Sequence, residues 1–203
     1  MSIKLTNKNK KMKIVYKIAF ILTMLNVISC RAQQILPLLT SIDDIPNLSH
    51  LKDTNNELQS FTGTYSASYN GNQITLYISK ENDKLFDFGD KQIYIDALTI
   101  RYTVKNSLGV ILQDTQNKVF NTDLLHTIYS QWVTENGTKA LFNYAGTNCH
   151  VGWGKIILKK VNTTQLSWEY HPNDITTTES KCPSTLDTTI YLPETKDLIF
   201  TKQ

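Results

Sequence analysis

Residues 61–80, FTGTYSASYNGNQITLYISK, decide the fold. Apolar and polar residues alternate through FTGTYSASY, and this two-residue period predicts a half-buried β-strand. Asn70-Gly71 follows, the dipeptide that most readily takes the two positive φ angles of a type I′ turn. Alternation then resumes in QITLYISK, with Ile74, Leu76 and Ile78 on one side. The stretch therefore predicts a β-hairpin.

The same period recurs along the rest of the chain. Eight further segments fit short strands, at 92–105, 110–115, 127–134, 139–144, 155–161, 165–171, 188–192 and 197–200. Turn signals such as Asn136-Gly137 separate several of them. Strands on hairpin connections predict an all-β fold, an antiparallel up-and-down barrel or closed sandwich of about 8–10 strands. The residues expected to face inwards are Tyr65, Ile74, Leu76, Leu98, Ile100 and Trp168.

The N-terminus has the layout of a secretion signal. Six lysines and no acid occupy the first thirty residues, and an apolar run of about eleven residues, IAFILTMLNVI, follows Lys17. A membrane-spanning helix needs roughly 20 apolar residues. We therefore expect residues 1–29 to be a cleaved signal peptide, with the true start at Met1 or Met12.

The end of this segment suggests a lipid anchor. Val27-Ile28-Ser29-Cys30 resembles the bacterial lipobox, in which the cysteine is acylated before cleavage makes it the first residue. Cys30 is therefore the expected lipid attachment site, with palmitate among the acyl chains, and several chains would anchor the protein firmly. An ordinary signal peptide or a short uncleaved anchor are the alternatives.

Removal of the signal changes the sign of the net charge. Lysine plus arginine falls from 21 to 15 while the acids stay at 18, so the expected mature charge is −3 instead of +3. No basic cluster remains to neutralise a row of phosphates, so nucleic acid is not an expected partner. The expected location is the bacterial cell envelope, lipid-anchored, with the outer membrane favoured and the leaflet open.

The mature chain is divided into a tether and one domain. Residues 30–59 contain two prolines, a polar run and only short apolar pieces, which favours a tether. Residues 60–203 are long enough to bury a core and form the single β domain. We expect a monomer.

Several stretches resemble a family of small flavobacterial (Bacteroidota) lipoproteins that carry a domain of unknown function. The resemblance lies in the Ser-Cys-x-Ala-Gln start, IPNLSHLKDTNNELQSFTGTY, the hairpin to Ile78, QIYIDALTIRYTV and YLPETKDLIFTKQ. The resemblance implies that this chain is a member of that family. It assigns no activity to any residue. Members of this family often have Gly-Thr-Trp where this chain has Gly63-Thr64-Tyr65. A Gly-x-Trp sequence at the start of the first strand is also common in lipocalin-like barrels, to which the chain has a weaker resemblance.

Two cysteines remain once Cys30 is lipidated. Cys149 and Cys182 would then be the two cysteines of a domain exported to an oxidising compartment, which favours a disulfide between them. Two unpaired cysteines are the alternative. Cys149-His150 is not expected to be a nucleophile pair, because neighbours on an extended chain point to opposite sides. The four histidines follow no metal-binding spacing, and we expect no metal or cofactor.

Acids and aromatic residues supply the remaining candidates. Glu81, Asp83, Asp87 and Asp90 are interpreted as a solvated loop, since their spacing does not fit a calcium loop. Asp96 shares the face of Leu98 and would be an inward charge that needs a partner from a neighbouring segment. Core packing is the favoured explanation of the inward aromatic residues, and the alternative is that some of them line a cavity. The candidate cavity-lining residues are Tyr65, Tyr94, Asp96, Tyr102, Trp132, Trp168 and Tyr170.

Three functions fit these observations. The favoured one is a non-catalytic anchored barrel that binds a small apolar or sugar-like ligand or an envelope protein. An envelope hydrolase with dispersed carboxylates and a structural or inhibitory lipoprotein are the alternatives. Asp187-Thr188-Thr189 also resembles the O-glycosylation site of Bacteroidota, with Thr188 as the acceptor.

Overall fold

A computed structural model describes residues 16–17, 33–118, 120, 124–134 and 136–203. Residues 34–203 form one compact unit. Apart from residues 16–17, the predicted signal peptide lies outside the described residues, and so does Cys30. No helix in the described ranges is long and apolar enough to cross a membrane.

In the described part of this unit the backbone forms strands and three short 3₁₀ turns. The strands are β1 (Ile35–Pro37), β2 (His50–Lys52), β3 (Gly63–Tyr69), β4 (Asn72–Asp87), β5 (Gln92–Lys105), β6 (Ile111–Asp114), β7 (Ile128–Val133), β8 (Lys139–Tyr144), β9 (Gly154–Lys160), β10 (Gln165–Pro172) and β11 (Thr195–Lys202). The 3₁₀ turns lie at Ile42–Asp44, Gln59–Phe61 and Asn148–His150.

Eight of these strands close into an antiparallel up-and-down barrel. Each of β3, β4, β5, β7, β8, β9, β10 and β11 pairs with the next in that order, and β11 returns to β3. The seam between β5 and β7 is short: Thr99 pairs with Tyr129, and the amide of Leu98 donates to Ser130 Oγ at 2.8 Å. The predicted all-β barrel is therefore confirmed.

The opening hairpin forms as its sequence predicts. Asn70 and Gly71 take φ angles of 47° and 78°, and Tyr69 pairs with Asn72 across the turn. The inward set is also confirmed: Tyr65, Ile74, Leu76, Leu98, Ile100 and Trp168 are buried in the main core.

Residues 34–61, here called the strap, differ from the predicted tether. β1 pairs in parallel with β2, and β2 pairs in parallel with the N-terminal half of β5. Ile45, Leu51 and Ile93 form a second, small core, while Leu58 and Phe61 join the main one. The folded unit thus begins about 25 residues earlier than the predicted boundary at residue 60, because short apolar pieces of the strap have a partner on β5.

Strand β4 is also longer than expected. It runs to Asp87, so Glu81, Asp83 and Asp87 lie on a strand and not in the predicted loop. A bulge lies between Glu81 and Lys84, where Asp83 takes a φ of 54°. The β4–β5 hairpin is thereby prolonged to its turn at residues 88–91, and β2 pairs with β5 in this part of the hairpin.

The predicted strand at 188–192 does not form. Asp187 accepts a hydrogen bond from the amide of Thr189 at 2.9 Å, which bends the chain, and Leu192 is buried without strand pairing. The long connection that contains it is fastened by a Cys149–Cys182 disulfide, which confirms the expected pairing. This crosslink spans 33 residues and is worth ~3–4 kcal/mol by loop entropy.

We expect Leu98→Asp to destabilise the protein by about 4 kcal/mol or more, because it places an unpaired charge in the core. Thr64→Asp, on the opposite face of the barrel wall, should cost about 0.5 kcal/mol or less. Thermal and urea unfolding of both variants measure the difference. Equal losses in the two variants would contradict the inward and outward assignment.

Candidate functional site

Four of the predicted cavity residues pack inside the barrel instead of lining a cavity. Tyr65, Tyr102, Trp168 and Tyr170 are at most 1% exposed. A chain of ring contacts runs through the interior, with centroid distances of 5.6 Å for Trp168–Phe200, 6.3 Å for Trp168–Tyr170, 5.9 Å for Tyr144–Tyr170 and 6.5 Å for Tyr102–Tyr144. None of the four lines the cavities described below.

The polar tips of these rings find partners. Tyr102 donates to Gln113 Oε1 at 2.7 Å and Trp168 donates to the carbonyl of Pro193 at 2.9 Å, while Tyr170 donates to the carbonyl of Gly152. Burial raises the pKa of Tyr102 and of Tyr170, and it raises that of Tyr144 to about 12. These hydroxyls stay protonated at physiological pH, as expected for a satisfied core.

Tyr94 and Trp132 lie away from this interior. Tyr94 is half-buried on the prolonged hairpin and stacks on His50 of the strap, with ring centroids 4.7 Å apart. Trp132 follows a bulge in β7 between Ser130 and Trp132, which shifts the alternation by one residue. As a result Val133 is buried and Trp132 is 47% exposed.

Trp132 forms one wall of an apolar groove outside the barrel. The groove has a volume of about 490 Å³ and lies between the strap, the prolonged β4–β5 hairpin and β7. Its apolar lining comes from Leu38, Leu39, Ile42, Ile45, Leu51, Phe86, Phe88, Ile95 and Trp132. Several of these side chains are strongly exposed, including Ile42 at 53% and Phe88 at 51%.

Few polar groups border the groove. They are Thr40, Ser41, Ser130 and Gln131, and none of them is charged. A recess of about 30 Å³ shares part of this lining and reaches Asp96. This recess has room for about one water molecule, so the groove itself is the larger binding space.

Asp96 holds the strap to the barrel. It is 6% exposed and receives hydrogen bonds from the amides of Asp53 and Asp83 at 3.2 and 3.1 Å. Lys52 Nζ and Lys80 Nζ lie 3.3 and 3.7 Å from its carboxylate oxygens. The Asp96 carboxylate therefore has the partners that the sequence analysis expects from neighbouring segments, and they come from the strap and from β4.

Two further aspartates complete the charged cluster. Burial opposes ionisation of Asp53, but the hydrogen bonds that its carboxylate accepts from Lys80 at 2.9 Å, from Glu57 and from the amide of Leu58 outweigh it and lower its pKa. Hydrogen bonds from Lys52 at 2.6 Å and His50 at 2.5 Å lower the pKa of Asp83. The cluster is an ion-pair network that joins the strap to β4.

This geometry favours a structural role for the acids over hydrolysis. Asp53 and Asp96 are both engaged by lysines and by backbone amides, and the recess beside Asp96 is too small for a substrate. Within the described ranges no group of three or more His, Cys, Asp or Glu side chains could hold a metal ion.

The remaining candidates lie near the disulfide. Cys149 and His150 are in a 3₁₀ turn and not on the extended chain assumed for them, and both have φ angles of 60°. Cys149 is joined to Cys182, so its thiol cannot act as a nucleophile. Thr188 is partly exposed next to Asp187, whose carboxylate also accepts a bond from Tyr191 at 2.9 Å.

Sequence reasoning missed most of the groove. Trp132 is a predicted cavity residue and does line the groove, although on the outer side of the barrel wall, whereas Leu38, Ile42, Phe86 and Phe88 are not predicted. Their signals were present as the apolar piece ILPLL at 35–39 and the alternation in KLFDFG at 84–89. Comparisons with protein-family models, curated proteins and solved structures found no match for this chain.

We expect acid to loosen the strap. Because Asp53 and Asp83 have lowered pKa values in the folded state, their stabilisation is present above the ordinary aspartate pKa of about 3.9 and is lost as pH falls below it. The protection factors of the amides at 50–58, which are observed exchange rates corrected for the intrinsic rate at each pH, should therefore fall between about pH 5 and pH 2.

Asp53→Asn should reduce stability at pH 7 by about 1–3 kcal/mol and flatten this pH dependence. Asp197→Asn, an exposed aspartate with no side-chain partner among the described residues, is the matched control. An unchanged pH profile in Asp53→Asn would contradict the assignment.

Proposed function

We propose that the protein is an envelope-anchored lipoprotein that binds a small apolar ligand in the groove beside its barrel. The observation that carries the proposal is the groove of about 490 Å³ lined by Trp132, Phe86, Phe88 and strap residues. Ligand pockets in proteins have volumes of about 300–1,000 Å³ and mostly apolar linings with a few polar groups.

The exposed apolar side chains supply the driving force. Ile42, Phe88 and Trp132 are each about half exposed, so water covers apolar surface that a ligand could cover instead. Each 100 Å² of apolar surface removed from water contributes about 2.5 kcal/mol. Thr40, Ser41 and Gln131 at the border can bind one polar end of such a ligand.

The lining favours an uncharged ligand. The described residues of the lining include no lysine, arginine, aspartate or glutamate, so an ion in the groove would lose its hydration without gaining a partner. An apolar body with one or two hydroxyl or carbonyl groups fits this lining best.

The lipid anchor places this activity at a membrane. The strap begins four residues after Cys30 in the sequence, so an acylated Cys30 would connect the groove to the membrane through a short segment. An apolar ligand dissolves in membranes, and an anchored protein would meet it there. The absence of a free catalytic group among the described residues of the groove supports binding over catalysis.

We expect protein taken from its native envelope to carry a retained apolar molecule. The test is native mass spectrometry of the full-length protein released from polymer-bounded membrane discs, without detergent that could fill the groove. Trp132→Ser combined with Phe88→Ser should lose the additional mass or at least tenfold of the affinity for it.

The matched control is Leu108→Ser, a substitution of an 85% exposed leucine in a turn away from the groove. It should keep the wild-type mass and affinity. A retained molecule that survives the double substitution at Trp132 and Phe88 would contradict the groove as its site.

We expect Cys30→Ser to release the protein from the membrane or to leave it as uncleaved precursor, because the acylated thiol is lost. Detergent-phase partitioning of envelope fractions measures this. Replacement of Ser29 by Ala keeps the cysteine and should leave the protein in the membrane fraction. A Cys30→Ser protein as firmly bound as wild type would contradict the lipid anchor.

A further inference from the structure

A second concave surface lies on the barrel at the loop between β8 and β9. It has a volume of about 580 Å³ and is formed by the end of β8, the turn at 145–153 and the segment at 174–176. We call it the Trp153 dish, after its most prominent side chain. Trp153 is 43% exposed and Ile175 is 41% exposed. These elements do not line the apolar groove.

The turn that carries the dish is held in an unusual conformation. Cys149 and His150 are adjacent non-glycine residues with φ angles of 60°, in the left-handed region that residues other than glycine rarely adopt. Gly146 permits the turn, since a Cβ there would lie 2.6 Å from the carbonyl of His150. The Cys149–Cys182 disulfide fixes the same turn to the connection between β10 and β11.

Several hydrogen bonds orient the dish residues. His150 Nδ1 donates to the carbonyl of Ala145 at 2.9 Å, which leaves Nε2 as the acceptor of the neutral ring. The carbonyl of Trp153 accepts from the amide of Asn173 at 2.7 Å, and its amide donates to the carbonyl of His150 at 3.2 Å. The indole is therefore displayed from a fixed backbone.

The Trp153 dish combines the flat apolar indole of Trp153 with hydrogen-bond donors and hydrogen-bond acceptors. Asn143, Asp174 and Thr176 border it, and no side-chain hydrogen bond or ion pair engages them within the described part of the chain. Together with His150 Nε2 they offer an amide donor, a hydroxyl and three kinds of acceptor. A fully apolar ligand would cover these groups without satisfying them, which is costly.

A sugar ring matches this combination. One face of a pyranose presents aliphatic C–H groups that can stack on an indole, while its rim carries hydroxyls that both donate and accept hydrogen bonds. Among the described residues of the lining, Asp174 is the one carboxylate, and no lysine or arginine accompanies it. The lining therefore disfavours acidic sugars and anionic polymers.

We propose that the Trp153 dish is a second binding site, which takes a neutral pyranose unit of an envelope or extracellular glycan. Trp153 is the stacking platform, and Asn143, Asp174 and His150 bind the hydroxyls. The site is independent of the apolar groove, and its ligand belongs to a different chemical class.

The test is affinity electrophoresis of the full-length protein in native gels that contain laminarin, soluble starch or yeast mannan. The gels use a polyoxyethylene ether detergent, because a detergent with a sugar headgroup would compete. We expect at least one of these neutral polysaccharides to retard the wild type, and polygalacturonate, an acidic polymer, to leave it unretarded.

Trp153→Ala should weaken the retardation at least tenfold, and Trp153→Phe should keep part of it. Asn143→Ala with Asp174→Ala provides a second variant that leaves the indole in place, and it should weaken binding at least fivefold. Trp132→Ser is the matched control and should bind the polysaccharide like the wild type, because Trp132 lines the apolar groove and not the Trp153 dish. Loss of ligand binding in the groove can therefore be distinguished from loss of polysaccharide binding at the dish.

Three results would overturn the proposal: no retardation by any neutral polysaccharide, full retardation of Trp153→Ala, or equal retardation by polygalacturonate. A thermal unfolding midpoint close to that of the wild type confirms that each variant is folded. If Trp153→Ala were unfolded, the double variant at Asn143 and Asp174 would decide the question alone.

Discussion

The carboxylate of Asp96 is the constraint on which the strap and the groove depend. A buried carboxylate without partners is far too costly to persist. Asp96 meets this demand with the amides of Asp53 and Asp83 and with Lys52 and Lys80. Because two of these partners lie on the strap and two on β4, one buried charge joins both segments to β5. Without the strap, the groove would lose the wall formed by residues 38–45.

The filled interior of the barrel explains why both candidate sites lie outside it. An eight-stranded barrel is just wide enough for side chains to fill it or for one small ligand. Here aromatic rings from Tyr102 to Phe200 occupy the interior in edge and tilted contacts, and their polar tips are paired. A lipocalin-like comparison implies a ligand inside the barrel, with Tyr65 at its floor. Tyr65 is 1% exposed and belongs to the packed core, so the surfaces open to a ligand are built on the barrel wall.

The alternation of apolar and polar residues predicts most strands of the barrel, but it predicts only a few of the residues that line the apolar groove and the Trp153 dish. The period of two predicts the faces of Leu76 and Trp168 wherever a strand is regular. The pairing of Cys149 with Cys182, which the sequence favours over two unpaired cysteines, is found. The same period cannot distinguish a packed interior from a cavity, since both place aromatic residues on the inward face. It also fails at Trp132, because the bulge at Gln131 shifts the phase and nothing local in the sequence marks it. The strap was missed because β2 is three residues long and depends on a partner more than 40 residues away.

The two surfaces are fastened by different chemistry, which separates their responses to the environment. Ion pairs hold the strap, so the groove depends on the ionisation of aspartates and on salt. A covalent crosslink holds the turn below Trp153, and such a bond persists in an oxidising compartment whatever the pH. Because side chains fill the barrel interior, both surfaces lie on its outer wall, and each is stabilised by its own set of interactions. The barrel thus positions both surfaces, while the strap and the turn at 145–153 supply much of their chemistry.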